Sequence, residues 1–140
     1  MSHIAKNATD KQKHVLFFSH RKEINEQVEE TFKRGKVNLD YVTIGTVGSL
    51  IRKLDTLPQF DVVLVDEAHH IKAKQYQTIL KYFKNATQLF FTGTPIRLDG
   101  AGFDDLADDL VVGKSIRWLQ QHGNISEFDY YSINLLDLKK

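Results

Sequence analysis

Phe60-Asp61-Val62-Val63-Leu64-Val65-Asp66-Glu67-Ala68-His69-His70 is the stretch on which the reading of this chain turns. It follows the breaker Pro58, and its apolar run predicts a buried strand over 60–65 that ends on two adjacent carboxylates. In open parallel sheets, ligands bind at the carboxyl ends of the strands. Two carboxylates at such an end suit a magnesium–nucleotide site. Asp66 can hold Mg²⁺ through water, because that ion prefers hard oxygen ligands and keeps most of its waters. Glu67 can orient or deprotonate an attacking water. The plain alternative is an acidic turn that caps the next helix. His69-His70 suggests a zinc centre, but no HExxH or Cys/His spacing accompanies the pair.

The pattern around this stretch repeats. Val15-Leu16-Phe17-Phe18 predicts a strand, and Ile24, Val28 and Phe32 mark one face of a helix over 21–34, with Gly35 as its stop. Tyr41 to Ile44 predicts a second strand, followed by a helix on Val47, Leu50, Ile51 and Leu54. After the 60–65 strand, Tyr76, Ile79, Leu80 and Phe83 mark another helix, and Gln88 to Phe91 a fourth strand. Strands alternating with helices of about 10–14 residues imply a largely parallel sheet with helices on both faces, an α/β layered fold. Residues 1–13 read as a polar, fraying segment, 98–113 as a loop with a short helix, and Ser115 as the cap of a helix through Gln121. Residues 128–133 read either as a last strand or as a segment leaving the domain.

The polar residues fall at the strand ends: Ser19-His20-Arg21, Gly45-Thr46, Asp66-Glu67-Ala68-His69-His70 and Thr92-Gly93-Thr94-Pro95. All four groups are expected along one rim of the sheet. Plainer readings make Arg21 and Lys22 a solvated helical turn, Thr46 and Ser49 ordinary caps, and 92–95 a simple turn.

The bulk numbers exclude more than they assign. A chain of 140 residues suits one sizeable core. Lys plus Arg is 19 and Asp plus Glu 18, so any nucleic-acid contact must come from local patches rather than net charge. Cysteine is absent, which removes disulfides and thiolate metal sites and fits a cytoplasmic location. The apolar runs fall far short of the roughly 18 residues needed to cross a membrane, and residues 1–13 contain no apolar signal core.

Val65-Asp66-Glu67-Ala68-His69 resembles a DEAH box, motif II of superfamily 2 helicases. Phe91-Thr92-Gly93-Thr94-Pro95-Ile96-Arg97-Leu98-Asp99-Gly100 is similar to motif III in its GTPxR-DG form. Val15 to Ile24 resembles motif Ia and Val42 to Leu50 motif Ib, and 113–126 resembles the GxSxxxLIxxGxL segment before a second domain. The order of the motifs and the elements that carry them both match. The resemblance implies the later part of a RecA-like (P-loop NTPase type) three-layer domain over 14–122, with 123–140 leading toward a second domain. It implies a motor driven by ATP and Mg²⁺, with Asp66 on the ion, Glu67 on the hydrolytic water and His69 as a coupler. Thr92, Thr94 and Arg97 would link hydrolysis to nucleic acid. Ser19, His20, Arg21, Gly45, Thr46 and Ser49 would touch the phosphate backbone of one strand, contacts that position without reading sequence. DNA is expected in preference to RNA.

The departures matter equally. No GxxxxGK[ST] occurs in the 140 residues. Gly113-Lys114-Ser115 has only its last three letters and lies downstream of motif III. The chain alone is therefore expected neither to bind ATP tightly nor to hydrolyse it. Without the phosphate-loop strand, residues 89–91 form an apolar edge open to self-association or to the missing motor pieces. The alternatives are a binding module on a degenerate helicase fold and a receiver domain. The second needs an acidic pair after the first strand and a Lys after the last, where this chain has Ser19-His20 and Thr92-Gly93.

Overall fold

In a computed structural model, residues 1–93 and 107–126 are described. They fall in two compact units, residues 1–103 and 104–140. The helix capped by Ser115 lies in the second unit. Thr94, Arg97 and the segment 128–133 lie outside the described residues.

The first unit runs α1 (Ser2–Thr9), β1 (Val15–Ser19), α2 (Lys22–Arg34), β2 (Val42–Thr46), α3 (Val47–Arg52), β3 (Val62–Val65), α4 (Lys74–Tyr82) and β4 (Thr87–Phe90). The four strands form one parallel sheet in the order β2-β1-β3-β4. Every residue of β1 is buried, as a central strand covered on both faces requires. Alternate residues of the strands point to opposite faces. Val15, Phe17 and Leu64 pack with Ala5 of α1, Phe32 of α2 and Val37. Phe18 turns the other way and meets Tyr76 of α4 at 5.6 Å between ring centroids. Helices α1 and α2 pack on one another, as do α3 and α4. This is a RecA-like α/β architecture with an all-parallel sheet.

The expectation that residues 1–13 fray is corrected by α1. Met1, Ala5 and Ala8 recur at helical spacing and pack into the core, where Ala5 is fully buried. Thr9 Oγ1 donates to Lys6 O and accepts from Asn38 N. Gly35 ends α2, but the left-handed residue is Lys36 (φ 55°). Gly35 is small because α1 arrives there: a Cβ would stand 3.2 Å from Ser2 Cβ.

Two strands start later or earlier than their apolar runs suggest. β3 begins at Val62, because the Phe60 ring turns edge-on to Phe83 at 5.1 Å instead of joining the ladder. Asp61 accepts from Lys13 Nζ (2.8 Å) and His14 N (2.9 Å) and so ties the entrances of β3 and β1. The Lys13 hydrogen bond holds the Asp61 carboxyl below its usual pKa. β4 begins at Thr87, and the ladder reaches Phe91 through Phe91 N to Val65 O at 2.8 Å. α3 is short, and Leu54 falls in a separate 3₁₀ turn (Leu54–Thr56).

At the end of β2, a Cβ on Gly45 would lie 2.8 Å from Leu50 Cδ2. Leu50 is fully buried, so it has little room to give way. Gly45→Ala is expected to cost about 1–3 kcal/mol by overpacking. A urea midpoint equal to that of the parent chain would contradict this packing.

In the second unit, Ser115 Oγ accepts from Trp118 N and caps α5 (Ile116–Gln121), as the sequence predicts. The Trp118 ring stacks on His122 at 3.8 Å. No helix among the described residues is long and apolar enough to cross a membrane.

Candidate functional site

Register places the four strand ends side by side. Ser19 is opposite Thr46, and Phe18 is opposite Val65, which in turn is opposite Phe90. Asp66 N donates to Phe18 O (3.2 Å) and Ala68 N to Phe91 O (2.9 Å), so the turn after β3 is fastened to both neighbouring strands. Between these two anchors Glu67 adopts a left-handed conformation (φ 53°, ψ 46°). For a residue with a side chain this costs about 1–2 kcal/mol, and such strain collects at functional sites. The next residues form a 3₁₀ turn, Ala68–His70, which returns His69 toward the carboxylates.

His69 Nδ1 lies 3.3 Å from Glu67 Oε2 and 3.4 Å from Thr92 Oγ1. One imidazole nitrogen thus stands between the acidic doublet and the end of β4. The Glu67 side chain keeps about a third of its surface exposed (37%), so it faces solvent while His69 steadies it. Asp66 is half-buried, and its carboxylate makes no hydrogen bond or ion pair among the described residues. His70 continues the rim. Its ring lies 4.2 Å from that of His69 and 5.0 Å from that of His20. Partial burial and then the positive character of His69 and His20 push the His70 pKa down.

The β1 end divides into an inner and an outer part. Ser19 is fully buried, and its Oγ lies 2.8 Å from Asn25 Oδ1 and 2.9 Å from Arg21 O. Its hydroxyl therefore fastens the turn into α2 and is not presented to solvent. His20 and Arg21 are exposed, and Arg21 Nε donates to His20 Nε2 at 3.1 Å. At the β2 end, Thr46 and Ser49 form a capping box: Ser49 N donates to Thr46 Oγ1, and Thr46 N to Ser49 Oγ. These hydroxyls serve the helix, as the plainer reading has it, and Gly45 serves close packing. Asn25 and Tyr76 were not singled out by the sequence. The only available signal was a polar group at a position whose spacing predicts core.

The donor set can be tested against a bound ion. Among the described residues no three His, Cys, Asp or Glu side chains are grouped to hold a metal by themselves. Asp66 and Glu67 offer two carboxylates, one of them unengaged. That suits a magnesium ion, which keeps several waters and takes its other oxygens from a nucleotide, and it does not suit a closed zinc site.

Residues 36–97 match a family described as type III restriction enzyme, res subunit. This span contains the ends of β2, β3 and β4. Over 140 residues, all of this chain, the sequence is 38% identical to a 51.5 kDa protein of a Lactococcus phage (isolate 7-9), of which the chain spans 31%. It is 28% identical over 124 residues to the Saccharomyces cerevisiae protein IRC3, named as an ATP-dependent helicase; that match covers 72% of this chain and 18% of IRC3.

Proposed function

Because the chain carries a superfamily 2 helicase-type domain on a RecA-like α/β fold, we propose that it is the nucleotide- and strand-facing part of an ATP-driven nucleic-acid helicase or translocase. Asp66-Glu67-Ala68-His69 is its DEAH box. The observation that most supports this reading is the position of His69 Nδ1, within 3.3 Å of Glu67 Oε2 and 3.4 Å of Thr92 Oγ1.

A magnesium nucleotide, when bound, supplies the phosphoryl group and the charge that neutralises it. The chain's own residues do the rest. Asp66 holds a water of the ion's shell. Glu67 orients a second water and takes its proton, a task that needs a carboxylate held still in the ionised form. His69 steadies Glu67 and links it to Thr92, and the resemblance assigns Thr94 and Arg97 to the same coupling. His20 and Arg21 meet the phosphates of one strand through exposed side chains. Ser19 and Asn25 shape the turn that presents them, and Gly45, Thr46 and Ser49 offer the capped start of α3. Such contacts set register and orientation without reading bases. We assign DNA ahead of RNA as the strand and the cytoplasm as the location. A non-catalytic module that binds nucleic acid or protein is the second reading, favoured by the absence of GxxxxGK[ST] from these 140 residues.

The chain spans about a third of the phage protein it resembles, so the test uses both lengths. When these 140 residues replace the matching segment of IRC3, the relative named as an ATP-dependent helicase, phosphate release from Mg–ATP is expected and single-stranded DNA is expected to stimulate it. The 140 residues alone are expected to release none. Strand binding by the chimera without hydrolysis would sink the motor reading and leave the binding module. Steady, stimulated release from the short chain would sink the claim that it is inactive alone. Among the described residues β4 pairs only with β3. Its open side, at 89–91, is the surface through which we expect the chain to self-associate or to join the other motor pieces.

A further inference from the structure

Tyr76 carries a polar group that the site described above does not use. It sits in the first turn of α4 and is 3% exposed, and its hydroxyl is buried with no hydrogen-bond partner among the described residues. Buried hydroxyls without partners are uncommon and costly. Phenylalanine would fill the same space without that cost, because the ring already packs on Phe18. Phe18 is in register with Val65, the last residue before the acidic doublet, and its carbonyl accepts from Asp66 N. The phenol therefore lies beneath the end of β3. Burial, and after it the negative charges of Glu67 and Asp66, push its pKa up to about 12. A neutral donor is thus secured there at any physiological pH.

We propose that Tyr76 is a positioning residue for the acidic doublet: its buried hydroxyl, unpartnered in the free chain, donates to a carboxylate of Asp66 or Glu67 when a hydrated divalent cation binds there. The proposal rests on the reading of the doublet given above. It assigns the hydroxyl to the loaded state and the ring to the core. The strained turn at Glu67, tied to its neighbours by backbone hydrogen bonds on either side, is the element that carries the acceptors.

The test compares the 140-residue chain with its Tyr76→Phe variant, using Mg²⁺ alone as the probe. Without the ion, the variant is expected to unfold in urea at the same midpoint or a higher one. A lower midpoint would mean that the hydroxyl already has a partner, and would overturn the proposal. With the ion, the amide resonances of Asp66 and Glu67 are followed by NMR. The parent chain is expected to bind about 3- to 10-fold more tightly than the variant, the range of one hydrogen bond. Equal affinities would overturn the role of Tyr76 and leave the doublet's assignment standing. A parent chain whose 66 and 67 amides ignore Mg²⁺ would overturn the proposal, which needs the ion bound there without a nucleotide, and would leave the doublet's assignment to be decided by the chimera.

Discussion

Glu67→Gln is expected to slow phosphate release by about 10²–10⁴-fold in the chimera with IRC3, the usual contribution of a positioned base. The substitution keeps the shape of the side chain and an oxygen for His69, so the 3.3 Å contact with Nδ1 can persist. It removes the group that takes a proton. Affinity for single-stranded DNA should change little, because the strand contacts assigned here come from the ends of β1 and β2. This separation is the point of the experiment. A variant that hydrolyses ATP within about threefold of the parent would show that Glu67 is not the base. One that loses hydrolysis and strand binding together would show that the turn after β3 is a structural hinge for the whole rim. Single-turnover measurements with saturating chimera in excess over ATP keep a change in nucleotide affinity from passing as a change in the chemical step.

The largest effect on stability is expected from Phe17→Ala, about 3–5 kcal/mol. Phe17 is fully buried on the central strand, between Ile44 of β2 and Leu64 of β3. Its ring meets Phe32 of α2 edge-to-face at 6.2 Å. Truncation removes contact area, an aromatic pair and the means by which α2 is held to the sheet, and it leaves a cavity the surrounding strands cannot close. Domains of this size are stable by about 5–15 kcal/mol, so the variant would be near unfolding at ordinary temperature. Urea denaturation followed by circular dichroism measures it. A loss below about 1 kcal/mol would show that the core on this face is loose, and the packing of α1 and α2 described above would fall with it.

Much of the sheet was legible because its signal is coarse. Val15–Phe18, Val42–Ile44 and Val62–Val65 are short apolar runs of the length a strand covered on both faces needs, and the helices between them force parallel pairing. The order of polar strand ends could be read for the same reason: each run stops where the chemistry changes. What could not be read depends on direction and on single atoms. The α1 helix hid behind charged neighbours, because its buried face is Met1, Ala5 and Ala8, and alanine contributes little to any hydropathy pattern. Ser19 resembled an exposed contact, yet its hydroxyl turns inward to Asn25, a residue six positions away whose partner no periodicity reveals. Thr46 and Ser49 bear hydroxyls suited to phosphates and to caps alike, and in the folded chain they are caps. Tyr76 matched the spacing of a core residue and is one, but the same spacing carries a hydroxyl into the interior.

The backbone at residue 67 has an evolutionary corollary. A turn with φ near 53° suits asparagine or glycine better than glutamate, so drift toward either would relax the chain there. The same change would delete the carboxylate. Durability and reactivity therefore pull in opposite directions at this one position. A lineage released from the need to split nucleotides should surrender glutamate at 67 early, well before it loses the sheet.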